Sequence, residues 1–179
     1  MNKESKNYLR TIFLKRRKEI PDSRRFQASS KATDFLMELV KDVPVVASFA
    51  SLPYEINLWP INHLLAKQKK LVLPTVIDNE LKLFAVDNLN DLKLSQLNIL
   101  EPDPKTCRQI SCQEVGLVLV PGISFDCVHT RLGYGKGHYD RLLAGIRQPR
   151  HGIGFNEQLS MEPLPQQDHD QKMDVVHFF

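Results

Sequence analysis

The chain has 179 residues, of which 42% are hydrophobic and 25% charged, and its formal net charge is +3 at pH 7. This composition excludes an intrinsically disordered protein, and the sequence has no apolar run of about 18 residues that would form a membrane-spanning helix. A chain of this length can bury a core of its own, so we predict one domain over residues 1–179.

The positive charge is concentrated at the N-terminus, where the first 31 residues hold ten Lys or Arg against three acidic residues. Apolar residues recur there at near-helical spacing, which predicts an amphipathic helix from about Glu4 to Glu19 that ends before Pro21. Lys6 and Arg10 share one face of this helix. By themselves these cations are typical of a solvated helix surface, and a nucleic-acid patch would contain more interleaved aromatic residues than Tyr8.

The N-terminus also lacks the apolar stretch of a secretory signal, so we expect a cytoplasmic protein. The three cysteines, Cys107, Cys112 and Cys127, are odd in number and lack the paired spacing of a metal site. Free thiols are therefore favoured over a disulfide framework or a zinc centre.

Beyond the basic helix, short apolar runs typical of buried strands alternate with helical segments. Asn57 is a suitable N-cap for a helix that runs to Lys69, with Pro60 in its first turn. Asp78-Asn79 predicts a turn before an antiparallel edge strand over residues 81–86. The predicted buried strands are residues 45–50, 71–73 and 115–120. Because strands separated by such a helix form βαβ units, we predict an α/β fold of three layers, with a mostly parallel central sheet covered by helices on both faces.

The segment RLGYGKGHYDRLL, residues 131–143, has a glycine at every second position of its first half. Glycines permit positive φ and let backbone amides approach an anion, and a following helix presents its N-terminal amides. Arg131 and Lys136 are placed to neutralise phosphate oxygens, and Asp140 to hold Mg²⁺ directly or through water. The pattern indicates a phosphate-binding loop, with a tight structural turn as the alternative.

Spacing excludes two common phosphate motifs in this segment. The dinucleotide fingerprint requires glycine where His138 stands, and the Walker loop requires Ser or Thr where Gly137 stands. A histidine beside a phosphate site is a candidate acid or base, but an exposed histidine without a chemical role is the alternative.

Three pieces of sequence, PGISFD at 121–126, RLGYGKG at 131–137 and YDRLL at 139–143, together resemble the signature of the 5-formyltetrahydrofolate cyclo-ligases, also called methenyltetrahydrofolate synthetases. Further elements resemble this family in the same order along the chain: Lys6 with Leu9-Arg10, Glu55-Ile56, Leu73-Pro74, residues 99–102, His169-Asp170 and residues 173–176. The chain departs from the family pattern at His129, where Gly is usual, and at His138, where an aromatic residue is usual.

The resemblance implies an α/β domain and an ATP-dependent reaction that cyclises 5-formyltetrahydrofolate to 5,10-methenyltetrahydrofolate, releasing ADP and phosphate. It implies Mg²⁺ as cofactor and ATP and the folate as small-molecule partners, with neither nucleic acid nor membrane, and a monomer. A non-catalytic member of the fold that binds a nucleotide or RNA is the alternative. The presence of Lys6, Arg10, Arg131 and Lys136 together with Asp140 favours the enzyme, because an RNA-binding surface has no need of a magnesium carboxylate.

The site residues also follow from the resemblance. The catalytic candidates are Lys136 and Arg131, and the metal candidates are Asp140 and Asp170. The alternatives are a helix-entry charge for Glu55 and a solvated carboxylate for Asp170, which Asp168 and Asp174 flank. The implied ATP contacts are Lys6, Arg10, Arg131, Leu132, Gly133, Tyr134, Gly135, Lys136, Gly137, His138 and Tyr139. The implied folate contacts are Ala50, Glu55, Tyr134, Gly135, Lys136, Gly137 and His138. Tyr54, Trp59 and Phe84 are either ring-stacking partners or core residues.

Overall fold

A computed structural model of the chain describes residues 3–95 and 99–179. The described residues form four α-helices: α1 (Lys3–Glu19), α2 (Asp22–Leu39), α3 (Trp59–Lys67) and α4 (His138–Ala144). The strands are β1 (Val46–Ala47), β2 (Leu71–Ile77), β3 (Glu80–Ala85), β4 (Leu92–Leu94), β5 (Leu100–Pro102), β6 (Gln109–Ile110), β7 (Leu117–Pro121), β8 (Ser124–Asp126), β9 (Arg131–Leu132), β10 (Arg150–Gly154), β11 (Leu159–Ser160) and β12 (Val175–Phe178). Short 3-10 helices span Leu89–Asp91, Cys112–Glu114 and Asn156–Gln158. Within the described ranges, each helix is too short or too polar to cross a bilayer.

The central sheet has the strand order β12-β10-β7-β1-β2-β3-β6. The five strands from β12 to β2 are parallel to one another. The strand β3 pairs antiparallel with β2, and β6 pairs antiparallel with β3. The predicted α/β fold with a mostly parallel sheet is confirmed. The predicted antiparallel strand over 81–86 is also present as β3, but it is not the edge, because β6 pairs along its outer side.

Helices cover both faces of this sheet, as predicted. Successive side chains of a strand point to opposite faces, so β1, β2 and β7 each feed two separate clusters. Val46, Leu71 and Leu117 pack with residues of α2 and α3 on one face. Ala47, Val72 and Val118 pack with Leu142 and Leu143 of α4 on the other.

The helix α2 has no counterpart in the sequence prediction, which left residues 22–39 unassigned. Its buried side is made of small residues at fourfold spacing, Ala28 and Ala32, followed by Leu36, and all three are fully buried. Alanine is a weak signal of burial because it is also common on helix surfaces. The helix starts directly after Pro21, whose extended backbone separates it from α1.

The helix α3 begins one residue later than an Asn57 N-cap requires, so that prediction is wrong. Leu58 occupies the N-cap position without a side-chain hydrogen bond, and the Asn57 side chain instead accepts a hydrogen bond from the Trp59 amide at 3.0 Å. Pro60 lies in the first turn, as predicted. The Asp78-Asn79 turn is confirmed, with positive φ at both residues.

The basic helix α1 spans Lys3–Glu19, close to its predicted bounds, and packs against the small sheet β11-β8-β9. Phe13 of α1 joins Ile123, Leu132 and Leu164 in a third apolar cluster. The β8 and β9 strands immediately follow β7, so this packing sets α1 beside the carboxyl end of the central sheet. The three cysteines are free thiols, as expected.

Gly152 in β10 tests how tightly the core is packed. A Cβ atom placed there would lie 2.8 Å from Cε1 of the fully buried Phe125 and 3.2 Å from Cγ of Met173. We expect Gly152→Ala to lower the free energy of unfolding by about 1–3 kcal/mol, because the ring cannot move without disturbing its own neighbours. Urea denaturation of the purified variant measures this change.

The matched control is Gly145→Ala at the end of α4. A Cβ there would approach no atom closer than 3.5 Å, and the backbone φ is −91°. Its free energy of unfolding should change by no more than about 0.5 kcal/mol. Equal destabilisation by the two substitutions would contradict the packing described for Gly152.

Candidate active site

A cavity of about 760 Å³ opens at the carboxyl edge of the central sheet. Phe49 and Ala50 from the segment after β1, Pro74 of β2 and Pro121 at the end of β7 line one wall. In open parallel sheets this edge is where ligands bind, because the loops that leave the strands converge there. The predicted folate contact Ala50 therefore lies in the pocket.

The glycine-rich segment forms the facing wall, with Gly133 to Asp140 along its lining. Its first two residues are not loop but strand β9, which pairs antiparallel with β8. Gly135 has φ +96° and Gly137 has φ +66°, conformations that residues with a Cβ rarely adopt. The helix α4 then starts at His138 and has only seven residues. At the three glycines of the predicted loop, backbone atoms rather than side chains therefore face the cavity.

The helix α1 is attached to this loop through Arg10. Its Nε donates a hydrogen bond of 2.8 Å to the Gly133 carbonyl, and a Cβ at Gly135 would lie 3.1 Å from its Cζ. Close approach of the guanidinium thus requires glycine at position 135. The basic helix and the glycine loop, separate in the sequence, are therefore in direct contact through Arg10.

Lys6, one turn earlier on α1, is buried and forms an ion pair with Asp170. Burial raises the pKa of Asp170, but the hydrogen bonds from Lys6 and the Gln167 amide outweigh this, so the pKa lies below its usual value. Asp170 is therefore not a solvated carboxylate. Its neighbour Gln171 donates its amide to Asp140 at 3.3 Å, so the two metal candidates lie on adjoining segments.

Arg131 is buried and its guanidinium reaches inward. Nη2 donates to Oδ1 of Asp140 at 2.9 Å, Nη1 donates to the Pro121 carbonyl at 3.5 Å, and the group lies over the Tyr139 ring at 5.5 Å. Its Nε has no hydrogen-bond partner in the described part of the chain. Arg131 thus joins the end of β7 to the start of α4.

The acidic residues fit a magnesium ion that arrives with phosphate oxygens. No group of three or more His, Cys, Asp or Glu side chains within residues 3–95 and 99–179 could by itself hold a metal. Magnesium, however, is usually held by one or two carboxylates together with substrate phosphates and water. Asp140 lines the cavity and Asp170 lies on the adjoining C-terminal segment, and each is paired with a cation.

Glu55 lines the inner end of the cavity and is almost completely buried. Its Oε1 accepts hydrogen bonds from the Tyr134 hydroxyl at 2.9 Å and from Nη1 of Arg17 at 3.5 Å, and its Oε2 accepts one from the Leu52 amide at 3.0 Å. Burial raises the pKa of Glu55, and these three partners oppose the rise. Glu55 precedes α3 by four residues, so the interpretation as a helix-entry charge is wrong.

Tyr134 completes this group of polar side chains. Nη2 of Arg17 donates to the Tyr134 hydroxyl at 2.5 Å, and burial together with the Glu55 carboxylate raises the pKa of Tyr134 to about 12. The phenol therefore stays protonated at neutral pH and acts as a donor to Glu55.

Arg17 was missed by sequence analysis, although the sequence contains a signal for it. It lies four residues after Phe13 on the apolar side of α1, and only 4% of its surface is exposed. A charged residue on an otherwise apolar helix face indicates a buried partner. The identity of that partner, Glu55, is 38 residues away in the sequence and could not be inferred from spacing.

The remaining predicted residues divide into two groups. Lys136 lies exposed at the rim of the cavity, and His138 lines it while Nε2 contacts Oδ1 of Asn79 at 3.1 Å. Burial and the nearby cations Arg141 and Lys136 lower the pKa of His138.

The aromatic residues proposed to stack on the ring, Tyr54, Trp59 and Phe84, are not part of the cavity wall. The aromatic residues on the wall are instead Phe49, Tyr134 and Tyr139.

Comparison with known proteins places these features in context. Residues 2–178 match the model of the 5-formyltetrahydrofolate cyclo-ligase family. The solved structure of Aquifex aeolicus 5,10-methenyltetrahydrofolate synthetase superposes with a TM-score of 0.86 and 32% sequence identity, over 96% of this chain and 88% of that one.

Two curated relatives agree. The mitochondrial 5-formyltetrahydrofolate cyclo-ligase of Arabidopsis thaliana is 34% identical over 85 residues, which are 42% of this chain and 31% of the relative. That match spans about a third of the relative's length. The 5-formyltetrahydrofolate cyclo-ligase of Haemophilus influenzae is 28% identical over 149 residues, 80% of each chain.

The contact between Arg10 and the glycine loop can be tested without any ligand. Arg10→Met removes the hydrogen bond to the Gly133 carbonyl, and a bond to a charged group contributes about 1.5–3 kcal/mol, or roughly a tenfold to hundredfold change in local opening. Trypsin should cleave the native protein after Lys136 faster by that factor, as followed by mass spectrometry of the products.

The control for this experiment is Lys15→Met, which removes an exposed cation paired with Glu19 on the same helix. Cleavage after Lys136 should match the parent in this variant. If Arg10→Met also left the cleavage rate unchanged, α1 would not be restraining the loop.

Proposed function

The chain belongs to the 5-formyltetrahydrofolate cyclo-ligase family, and we propose that it catalyses the ATP-dependent cyclisation of 5-formyltetrahydrofolate to 5,10-methenyltetrahydrofolate, with release of ADP and phosphate. The observation that supports this most directly is the cavity itself. One end is lined by the glycine loop, to which Arg10 of α1 is hydrogen-bonded, and the other end presents a buried carboxylate among apolar side chains.

The reaction needs ATP because a formyl group on nitrogen is a poor electrophile and its oxygen a poor leaving group. Transfer of the γ-phosphoryl group to the formyl oxygen, with release of ADP, corrects both. The folate N10 then attacks the formyl carbon and loses its proton, and the bond from carbon to the phosphorylated oxygen breaks to release phosphate. Catalysis of such steps rests on alignment and neutralisation of charge.

We assign the phosphate end to α1 and the loop. Lys6 and Arg10 provide positive charge on one side, and the backbone of Gly133, Gly135 and Gly137 allows phosphate oxygens to approach without a side chain in the way. Lys136 lies exposed at the rim, where its side chain can follow the transferring phosphoryl group. Leu132 is buried under the loop and supports it.

We assign Mg²⁺ to Asp140 and Asp170. The ion, when bound, would neutralise charge on the phosphate oxygens. Arg131 pairs with Asp140 and Lys6 pairs with Asp170, which fixes the orientation of these two carboxylates. Arg131 consequently contributes by holding Asp140 and the start of α4 as much as by contact with phosphate.

We assign the folate end to Glu55. A carboxylate accepts hydrogen bonds only, so it is suited to the donor-rich edge of a pterin ring. Ala50 and Phe49 supply apolar surface beside it, and Tyr134 connects this end to the glycine loop. His138 contacts Asn79 at the outer side of the loop and is given no chemical role.

The non-catalytic RNA-binding alternative is disfavoured by the carboxylates that accompany the cations. An RNA surface attracts phosphate with Lys and Arg and has no need of a magnesium carboxylate, whereas here Arg131 is paired with Asp140 and Lys6 with Asp170. A single domain, a monomer, the absence of nucleic-acid and membrane partners, and a cytoplasmic location stay predictions; the Arabidopsis relative is described as mitochondrial.

The direct test is a spectroscopic assay of the purified protein. With 5-formyltetrahydrofolate, ATP and Mg²⁺, the methenyl product should accumulate and be detected by its near-ultraviolet absorption. Omitting ATP, or removing divalent ions with a chelator, should stop the reaction, and added Mg²⁺ should restore it. Product formation that is independent of ATP, or none under any condition, would refute the proposal.

The two ends of the cavity should respond differently to mutation. Lys136→Ala should lower kcat about 100-fold or more, the scale of losing one group that stabilises developing charge. Glu55→Gln should chiefly raise the folate KM and leave the ATP KM nearly unchanged, since Glu55 binds ground and transition states alike. Steady-state kinetics in both substrates separates these effects.

Lys31→Ala, which removes an exposed cation of α2 outside the cavity wall, serves as the control and should behave as the parent. If Lys136→Ala kept kcat within about twofold while Glu55→Gln abolished turnover, the two roles would be reversed and the loop would be a structural turn.

A further inference from the structure

Arg17 is a buried cation that does not line the cavity but contacts two residues that do. Its guanidinium donates to the Tyr134 hydroxyl at 2.5 Å, to Oε1 of Glu55 at 3.5 Å and to the Gly122 carbonyl at 3.3 Å. With 4% of its side chain exposed, it lies behind the inner wall. A residue in this position can act on a ligand only through Glu55 and Tyr134.

Glu55 needs such a partner to serve as an acceptor. Burial favours the neutral carboxylic acid, and burying a carboxylate without a compensating charge is unfavourable. The groups that face it are Arg17 of α1, the Leu52 amide, the neutral phenol of Tyr134 and, close enough to interact electrostatically, the buried phenol of Tyr139 on α4. Arg17 carries the one positive charge among them.

On the premise of the proposed function, we infer that Arg17 is a positioning residue for folate: it keeps Glu55 a carboxylate turned into the cavity, with the Tyr134 hydroxyl held against it. A carboxylate has about four acceptor positions. Three donors from the protein occupy Glu55, so acceptor capacity remains for a ligand.

This arrangement makes the site selective for a ring edge rich in donors. A carboxylate can only accept, whereas the protonated acid would also donate and would tolerate a ring edge that presents an acceptor. Arg17 thereby determines which edge of a flat heterocycle is bound, although it does not touch the ring. The backbone amide of Leu52, which fixes Oε2, limits rotation of the carboxylate about its bond.

The position of Arg17 also explains why one helix carries both functions. Arg10 and Arg17 are seven residues apart on α1, about two turns or 10 Å along the axis. The first bonds the glycine loop at Gly133, and the second bonds Tyr134 and Glu55. Both therefore contact adjacent residues of the same loop from one rigid element.

The test uses Arg17→Met, which keeps the aliphatic length and removes the charge, and Arg17→Lys, which keeps the charge. Arg17→Met should raise the folate KM, and the dissociation constant of 5-formyltetrahydrofolate by calorimetry, about tenfold or more, with the ATP KM changed less than about threefold. Arg17→Lys should recover part of the loss. The control is Lys18→Met, the next residue on α1, which is exposed and should behave as the parent.

The pH profile separates positioning from a merely structural effect. Arg17 lowers the pKa of Glu55 against the effect of burial, so the pKa should rise further in Arg17→Met. Folate affinity, which needs the ionised form, should then begin to fall at a higher pH on acidification than in the parent. In Glu55→Gln, folate affinity should not show this fall on acidification. Adding Arg17→Met to Glu55→Gln should lower folate affinity by less than about a further threefold.

The outcomes are distinct. If the parent makes no methenyl product, the proposed function fails. If the parent is active and Arg17→Met affects ATP and folate equally, or leaves the folate pH profile unmoved, Arg17 is only structural and the inference is overturned. Should Arg17→Met not fold, Arg17→Lys decides. If its folate affinity falls on acidification at a pH different from that of the parent, the inference is supported. If that pH and the folate KM are both unchanged, the inference is refuted.

Discussion

A charge that is taken out of water must be met by an opposite charge or by several hydrogen bonds, and this requirement organises the cavity. Three buried or nearly buried ion pairs surround it: Lys6 with Asp170, Arg17 with Glu55, and Arg131 with Asp140. Each pair joins elements that are not neighbours in the fold's hydrogen-bonded sheets. Together they attach α1, the segment after β1, the loop before α4 and the C-terminal segment to one another.

The pairs also couple several residues assigned to phosphate and Mg²⁺ to the stability of the fold. Lys6 is paired with Asp170, and Arg131 is paired with Asp140. Breaking such a pair by removing one member leaves an uncompensated buried charge, which typically costs about 3–5 kcal/mol. Substitutions at these positions therefore report on function only when the stability of the variant is measured alongside.

The sheet supplies the rigid side of the site. Parallel strands β1, β2 and β7 end together at the cavity, and their registers are held by helices on both faces. The antiparallel strands β3 and β6 extend the sheet on one side, and the β2–β3 turn at Asp78-Asn79 reaches the start of α4, where Asn79 contacts His138 and Arg141. The glycine loop thus faces a wall built from buried strands.

Local patterns in the sequence were sufficient to predict much of the fold and the conformation of the glycine loop. Apolar runs and the spacing between them predicted the parallel strands β1, β2 and β7 and the helix between the first two, and glycine at positions 135 and 137 predicted positive φ, since this is a property of single residues. The strand β10 was not predicted, and Gly133 does not have a positive φ. The basic face of α1 and its end at Pro21 were equally visible. The N-cap of α3 was misplaced and α2 was missed, because a cap depends on hydrogen bonds and a stripe of alanine carries little hydrophobic contrast.

The tertiary structure decided which charged residues pair with each other. Nothing in the spacing of Arg17 and Glu55, 38 residues apart, or of Lys6 and Asp170, 164 apart, indicates that they meet. Arg131, predicted as a free phosphate ligand, turns inward to Asp140, and Asp170, which sequence alone left as either a ligand or a solvated group, is buried against α1. Sequence patterns report the conformation of a short segment, whereas the electrostatic partner of a buried charge depends on which distant segments the folded core brings together.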